Sequence, residues 1–86
     1  MKKGQRIRLV SFNGTVNPDS NIDERENFWK LLNEIGTIIY LAHEKKFPNS
    51  NRVLIKFDSD LKSLGLECHN DEPNSLWILK SDLKEI

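Results

Sequence analysis

Cys68 and His69 are adjacent residues whose side chain types could act together in catalysis. A cysteine thiolate becomes a nucleophile when an imidazole lies within hydrogen-bonding distance and a third group orients that imidazole. Adjacent residues on a strand point to opposite faces, so this spacing separates the two side chains. His43 could replace His69 as the base only if the fold brought it near. We therefore predict a small buried Cys68, a surface His69 and a protein that is not an enzyme.

The spacings that are typical of metal and cofactor sites do not occur in the sequence. One cysteine and two histidines are its soft metal ligands, and neither CxxC nor HxxxH is present. The segment Asp58-Ser59-Asp60 begins like a calcium loop. Such a loop needs an oxygen donor, glycine and glutamate at its fifth, sixth and twelfth positions, but these positions hold Lys62, Ser63 and His69. Glycine-rich phosphate loops are also missing, so we predict neither a metal nor a cofactor.

Acidic side chains are concentrated in residues 58–75, where five carboxylates against one lysine give a net charge of −4. Such a surface attracts a basic protein over a long range and speeds association. Trp29 flanks an apolar helical face and is either a packing residue or an exposed anchor, since tryptophan serves both roles. The alternative for the acidic segment is a solvated loop. The predicted partner-binding residues are Asp58, Asp60, Glu67, Asp71, Glu72 and Trp29.

A second interpretation of the surface is a nucleic-acid-binding barrel that uses cations and an aromatic ring on one face. The net charge of the chain is zero, which argues against nucleic acid because such proteins normally have a dominant basic field. The contacts in that interpretation would be Arg6, Arg8, Lys45, Lys46, Arg52 and Tyr40.

The elements that must position these residues are mostly short strands. Residues 5–12 alternate in polarity, which predicts a half-buried strand with Ile7 and Leu9 on one face, and Asn13-Gly14 predicts a tight turn. Apolar residues at helical spacing predict a helix over about 23–34, capped near Ser20 and Asp23 and ended by Gly36. The further predicted strands are 37–43, 52–57, 64–69, 76–80 and 84–86, with a 3₁₀ turn at 81–83.

Length and composition predict one ordered domain, residues 1–86, with 37% hydrophobic and 30% charged residues. No apolar run approaches the ~20 residues that span a bilayer, and no signal peptide is recognisable. A single cysteine cannot form an internal disulfide, which suits a reducing cytosol. We therefore expect a cytoplasmic protein, monomeric when free, without a membrane partner. Five or six short strands in so short a chain favour a small closed barrel.

The order of segments resembles an SH3-like barrel. A first strand after Gly4 is followed by GTIIYLAHE, RVLIKFD and SLWILKSDLKEI. In that class a strand led by Gly-Thr precedes one that ends in an apolar-Phe-Asp step, and an aromatic-bearing strand leads into a 3₁₀ turn and a final strand. The helix in the first long loop departs from the extended hairpin that many such barrels carry. The compact, helix-decorated form also resembles small bacterial immunity proteins. That resemblance implies a non-enzymatic module that neutralises a cognate basic toxin by binding it.

Overall fold

A computed structural model describes residues 1–18 and 20–86 and contains one antiparallel sheet. The order across the sheet is β4-β3-β2-β1-β5. The mainly β class, with helical segments inserted in the first long loop, is confirmed. The strands are β1 (Arg6–Leu9), β2 (Ile35–Leu41), β3 (Arg52–Phe57), β4 (Ser75–Leu79) and β5 (Leu83–Glu85).

The sheet is open rather than closed, because β4 and β5 remain as its two edges. The predicted strand at 64–69 does not form. Residues Lys62–Leu64 are a 3₁₀ helix instead, and the Glu67 amide donates to the carbonyl of Arg25 in the first long loop. That backbone hydrogen bond ties the segment to the helical loop, so it does not join a strand. The predicted 3₁₀ turn before the last strand is confirmed, at Lys80–Asp82.

The core lies on one face of the sheet, as the alternation in β1 and β3 predicts. Ile7 and Leu9 are fully buried, while Arg6 and Arg8 face outward. In β3, Val53, Ile55 and Phe57 are buried on the same side. The partner strands add apolar residues at matching register positions; Ile38 lies opposite Ile55, and Ile78 lies opposite Val53.

The predicted helix over 23–34 is two short 3₁₀ helices, Glu24–Glu26 and Phe28–Leu31, separated by Asn27. Phe28 and Leu31 are buried, so the apolar face was identified correctly. The helix stops early because Leu9 exchanges backbone hydrogen bonds with Asn33 and Glu34, at 2.7 and 3.0 Å. These bonds extend the sheet into the end of the predicted helix. A continuous α-helix through residue 34 would have to break them.

Gly36 does not cap a helix as predicted, because it lies within β2 opposite Phe57. Asn33 takes the left-handed conformation instead, with φ 72°. A Cβ on Gly36 would lie 2.6 Å from Ile55 Cγ2 and 2.8 Å from the Lys56 carbonyl oxygen. The position therefore requires glycine for close strand packing. Asp23, rather than Ser20, caps the first 3₁₀ helix by accepting from the Arg25 amide.

Candidate functional site

The side chain of Asn74 joins the two ends of the acidic segment 58–75. Its Oδ1 accepts from the Leu61 amide at 2.7 Å, and its Nδ2 donates to the carbonyls of Phe57 and Ser59, both at 2.7 Å. Asn74 itself has φ 62°, a left-handed conformation that asparagine tolerates better than most residues. These bonds hold the start of the segment, at residues 57–61, against its end at Asn74.

Two of the predicted partner-binding carboxylates are already occupied by internal contacts. Asp58 accepts two hydrogen bonds from the Arg6 guanidinium, one of them 2.7 Å from Nη1 to Oδ1. These hydrogen bonds lower the pKa of Asp58, and the charge of Arg6 lowers it further. Asp60 accepts from the Lys62 amide and the Ser63 hydroxyl, just before the 3₁₀ helix Lys62–Leu64. Both carboxylates thus have internal partners, while their exposed oxygens keep further acceptor capacity.

Glu67 is also paired, at 3.3 Å from Arg25 Nη1. By contrast, no hydrogen bond or ion pair within residues 1–18 and 20–86 reaches the carboxylates of Asp71 and Glu72. The structure therefore separates the five predicted carboxylates into three that have internal partners and two that do not. Asp71 and Glu72 hold the available negative charge.

Trp29 packs within the fold rather than projecting as an anchor. Its ring meets Phe12 edge-on, with 4.9 Å between centroids and 78° between planes. The indole Nε1 donates to the hydroxyl and the carbonyl of Thr15, at 3.1 and 3.3 Å. These contacts fasten the Asn13-Gly14 turn to the helical loop. They favour the packing interpretation of Trp29.

A groove on the outer face of the sheet contains Asp71 and Glu72 together with two aromatic rings. Trp77 on β4 lies opposite Leu54 on β3, and the ring of Phe47 stacks on Trp77 at a centroid distance of 4.1 Å and 17° between planes. The groove has a volume of about 260 Å³. Its lining residues are Lys45, Phe47, Leu54, Asn70, Asp71, Glu72 and Trp77.

The segment after β2 brings Phe47 to this groove. Residues Ala42–Lys45 form a 3₁₀ helix, Lys46 follows with φ 54°, and the Phe47 amide donates to the Ala42 carbonyl at 2.9 Å. Sequence reasoning missed Phe47, because it is a single aromatic residue in a polar connection. The available signal was Leu76-Trp77-Ile78-Leu79, which is apolar on both faces and so predicted that something covers the outer one.

The residues of the nucleic-acid interpretation are largely engaged inside the molecule. Arg6 is bound to Asp58, and Arg52 donates to the Trp77 carbonyl and to Asn13 Oδ1. The ammonium of Lys45 sits 4.3 Å from the centre of the Tyr40 ring. Arg8 and Lys46 are exposed. The groove is lined by Asp71 and Glu72 against one lysine, Lys45, so its net charge is negative, which disfavours a phosphate backbone there.

Cys68 and the two histidines are not assembled as a nucleophile and base. The sulfur of Cys68 lies 3.4 Å from the carbonyl oxygens of Glu72 and Ser75, and no histidine in the described part of the chain hydrogen-bonds to it. Its thiol is half-buried, so the expected full burial is not reached. His69 is exposed, as predicted, and its Nε2 lies 2.7 Å from Glu26 Oε1.

Comparisons of the chain with protein-family models, with curated proteins and with solved structures give no significant match. Within residues 1–18 and 20–86, no helix is long and apolar enough to span a membrane.

Proposed function

We propose that this protein is a non-enzymatic protein-binding module of SH3-like form that neutralises a cognate bacterial toxin by direct binding. The observation that carries the proposal is the pair of unpaired carboxylates, Asp71 and Glu72, beside the stacked rings of Phe47 and Trp77. Aromatic rings with adjacent carboxylates suit an arginine or lysine side chain, because the ring face and the carboxylates both attract the cation.

The shape of the groove supports a protein partner over a small substrate. It is partly open to solvent, and among the described residues neither a histidine nor a cysteine lines it. Large rigid aromatic residues are the usual centres of protein interfaces, since they offer contact area at low cost in conformational entropy. The two carboxylates then contribute mainly to the association rate and to the choice of a basic partner.

We assign the partner contact to the groove end of the acidic surface, at Asp71 and Glu72. Asp58, Asp60 and Glu67 keep their internal partners, so we assign them the secondary role of extending the negative field. Trp29 is assigned to packing. The resulting proposal is a basic toxin domain that places a cationic side chain against Trp77, between Asp71 and Glu72.

The test is co-expression with a candidate toxin taken from the genes that neighbour this protein's own gene, comparing the parent with a D71K/E72K variant. The matched control is E24K/E85K, which changes the net charge by the same amount at exposed carboxylates outside the groove. We expect the groove variant to associate with the toxin more slowly by a factor of about 10 or more at low salt, and to protect cells poorly. The control should protect like the parent. Equal protection by the two variants contradicts the proposal, as does tight binding of single-stranded nucleic acid that the toxin fails to displace.

A further inference from the structure

Three potential metal ligands meet outside the groove, where the first long loop contacts the segment after Gly65. They are the carboxylates of Glu26 and Glu67 and the imidazole of His69, and their ligand atoms all lie within 4.8 Å of one another. The Nε2 atom of His69 is 2.7 Å from Glu26 Oε1 and 3.9 Å from Glu67 Oε2. An imidazole nitrogen is thus flanked by two carboxylate oxygens from different segments.

A backbone contact between the two segments brings these three side chains close together. The Glu67 amide donates to the Arg25 carbonyl at 3.0 Å, which places residue 67 beside Glu26. Burial alternates from residue 66 to residue 69: Leu66 is buried and Cys68 half-buried, whereas Glu67 and His69 are exposed. Side chains two residues apart therefore share the outer side, and Cys68 points inward, away from the cluster.

We propose that Glu26, Glu67 and His69 bind a zinc ion through one nitrogen and two oxygens. Zinc–ligand distances of about 2.0–2.2 Å in tetrahedral geometry separate the ligand atoms by about 3.4 Å. The contact of 2.7 Å must open by about 0.7 Å and that of 3.9 Å must close by about 0.5 Å. Rotation of exposed side chains supplies such changes without moving the backbone.

The chemistry of the set favours zinc over calcium or magnesium. Imidazole is a ligand for zinc and its neighbours in the transition series, whereas calcium and magnesium take oxygen ligands. Three protein ligands leave a fourth position for water. The nearby cation, Arg25, contacts Glu67 through Oε1 and leaves Oε2 facing His69; its charge is also shared with Asp23 at 3.1 Å. Sequence analysis missed the cluster because Glu26 and His69 are 43 residues apart.

Titration of the full chain with zinc chloride, followed by calorimetry and by amide NMR shifts, tests the proposal. We expect one site per chain with a micromolar dissociation constant and shifts centred on residues 26, 67 and 69. The variant H69A should weaken binding by about 10-fold or more, as loss of a ligand does when a site has only three. E67Q should also weaken it.

Two controls distinguish this site from other zinc ligands. H43A removes the other histidine, which is exposed and outside the cluster, and C68S removes the thiol. Both should bind zinc like the parent, and all four variants should keep the parent's amide spectrum away from the substitution. Binding weaker than millimolar, equal loss in H43A and H69A, or loss in C68S but not in H69A would overturn the proposal. The zinc site and the groove are tested separately, because none of Glu26, Glu67 and His69 lines the groove.

Discussion

Asp82 is almost completely buried, at 1% exposure, and its carboxylate organises the turn that follows β1. It accepts a hydrogen bond of 2.6 Å from the Ser11 hydroxyl and two more, of 2.9 and 3.0 Å, from the amides of Asn13 and Gly14. One carboxylate thus joins the N-terminal hairpin turn to the 3₁₀ turn before β5. We predict that D82A strongly destabilises the fold.

The expected size of the effect follows from these three bonds. A hydrogen bond to a charged group contributes about 1.5–3 kcal/mol, and an unsatisfied buried donor costs about 1–3 kcal/mol. Asn13 and Gly14 are exposed, so water can solvate their amides in the variant and recover part of the loss. We therefore expect D82A to lower the free energy of unfolding by about 3 kcal/mol. A domain of this length has a total free energy of unfolding of about 4–13 kcal/mol, so the loss is a large fraction.

Urea unfolding monitored by tryptophan fluorescence measures this loss. With a slope of about 1 kcal/mol per molar urea, the midpoint should fall by about 3 M. D60A is the matched control, because Asp60 also accepts from an amide and a serine hydroxyl but is exposed. Its loss should stay below about 1 kcal/mol. A D82A midpoint within experimental error of the D60A midpoint would refute the reasoning.

Two further predictions concern strand packing and pH. G36A should lower the free energy of unfolding by about 1–3 kcal/mol, because the new Cβ would clash with Ile55 and the Lys56 carbonyl; an unchanged urea midpoint contradicts this. Hydrogen bonds with Arg6 lower the pKa of Asp58, so its stabilisation exists above the ordinary pKa of 3.8 and is lost as pH falls through the lower folded value. The midpoint temperature of thermal unfolding should therefore decrease once the pH is lowered below about 4. This decrease should be less steep in R6A than in the parent. If the midpoint temperature decreased equally with falling pH in both proteins, the predicted stabilisation by the Arg6–Asp58 pair would be contradicted.

The strands could be predicted from the sequence where one face alone is buried. The alternation of Ile7 and Leu9 with arginines predicts β1, and Asn13-Gly14 predicts the turn after it, through local rules; β1 itself ends at Leu9 rather than at residue 12. Asn13 and Gly14 both have positive φ, as the turn requires. The last 3₁₀ turn was also placed to within a residue. In these segments, local preference and tertiary packing agree.

The structure differs from the sequence-based predictions where contacts between distant residues override local patterns. The apolar spacing from Phe28 is helical, but sheet pairing of Leu9 with Asn33 and Glu34 divides and shortens the helix. The candidate sites depend on contacts of the same kind. Which carboxylates are free is decided by distant cations such as Arg6, and the groove depends on Phe47 reaching Trp77. No spacing within one segment contains that information.

In the proposed function, the partner binds at the Phe47–Trp77 groove. The two indole N–H signals of the protein report on it directly, because Trp77 lines the groove and Trp29 is held by Thr15 in the helical loop. The measurement is a proton–nitrogen correlation spectrum of the labelled protein before and after addition of the toxin. We predict that the Trp77 indole signal and the amides of Asp71 and Glu72 shift strongly while the Trp29 indole signal stays in place. A shifted Trp29 signal with an unchanged Trp77 signal would contradict the account.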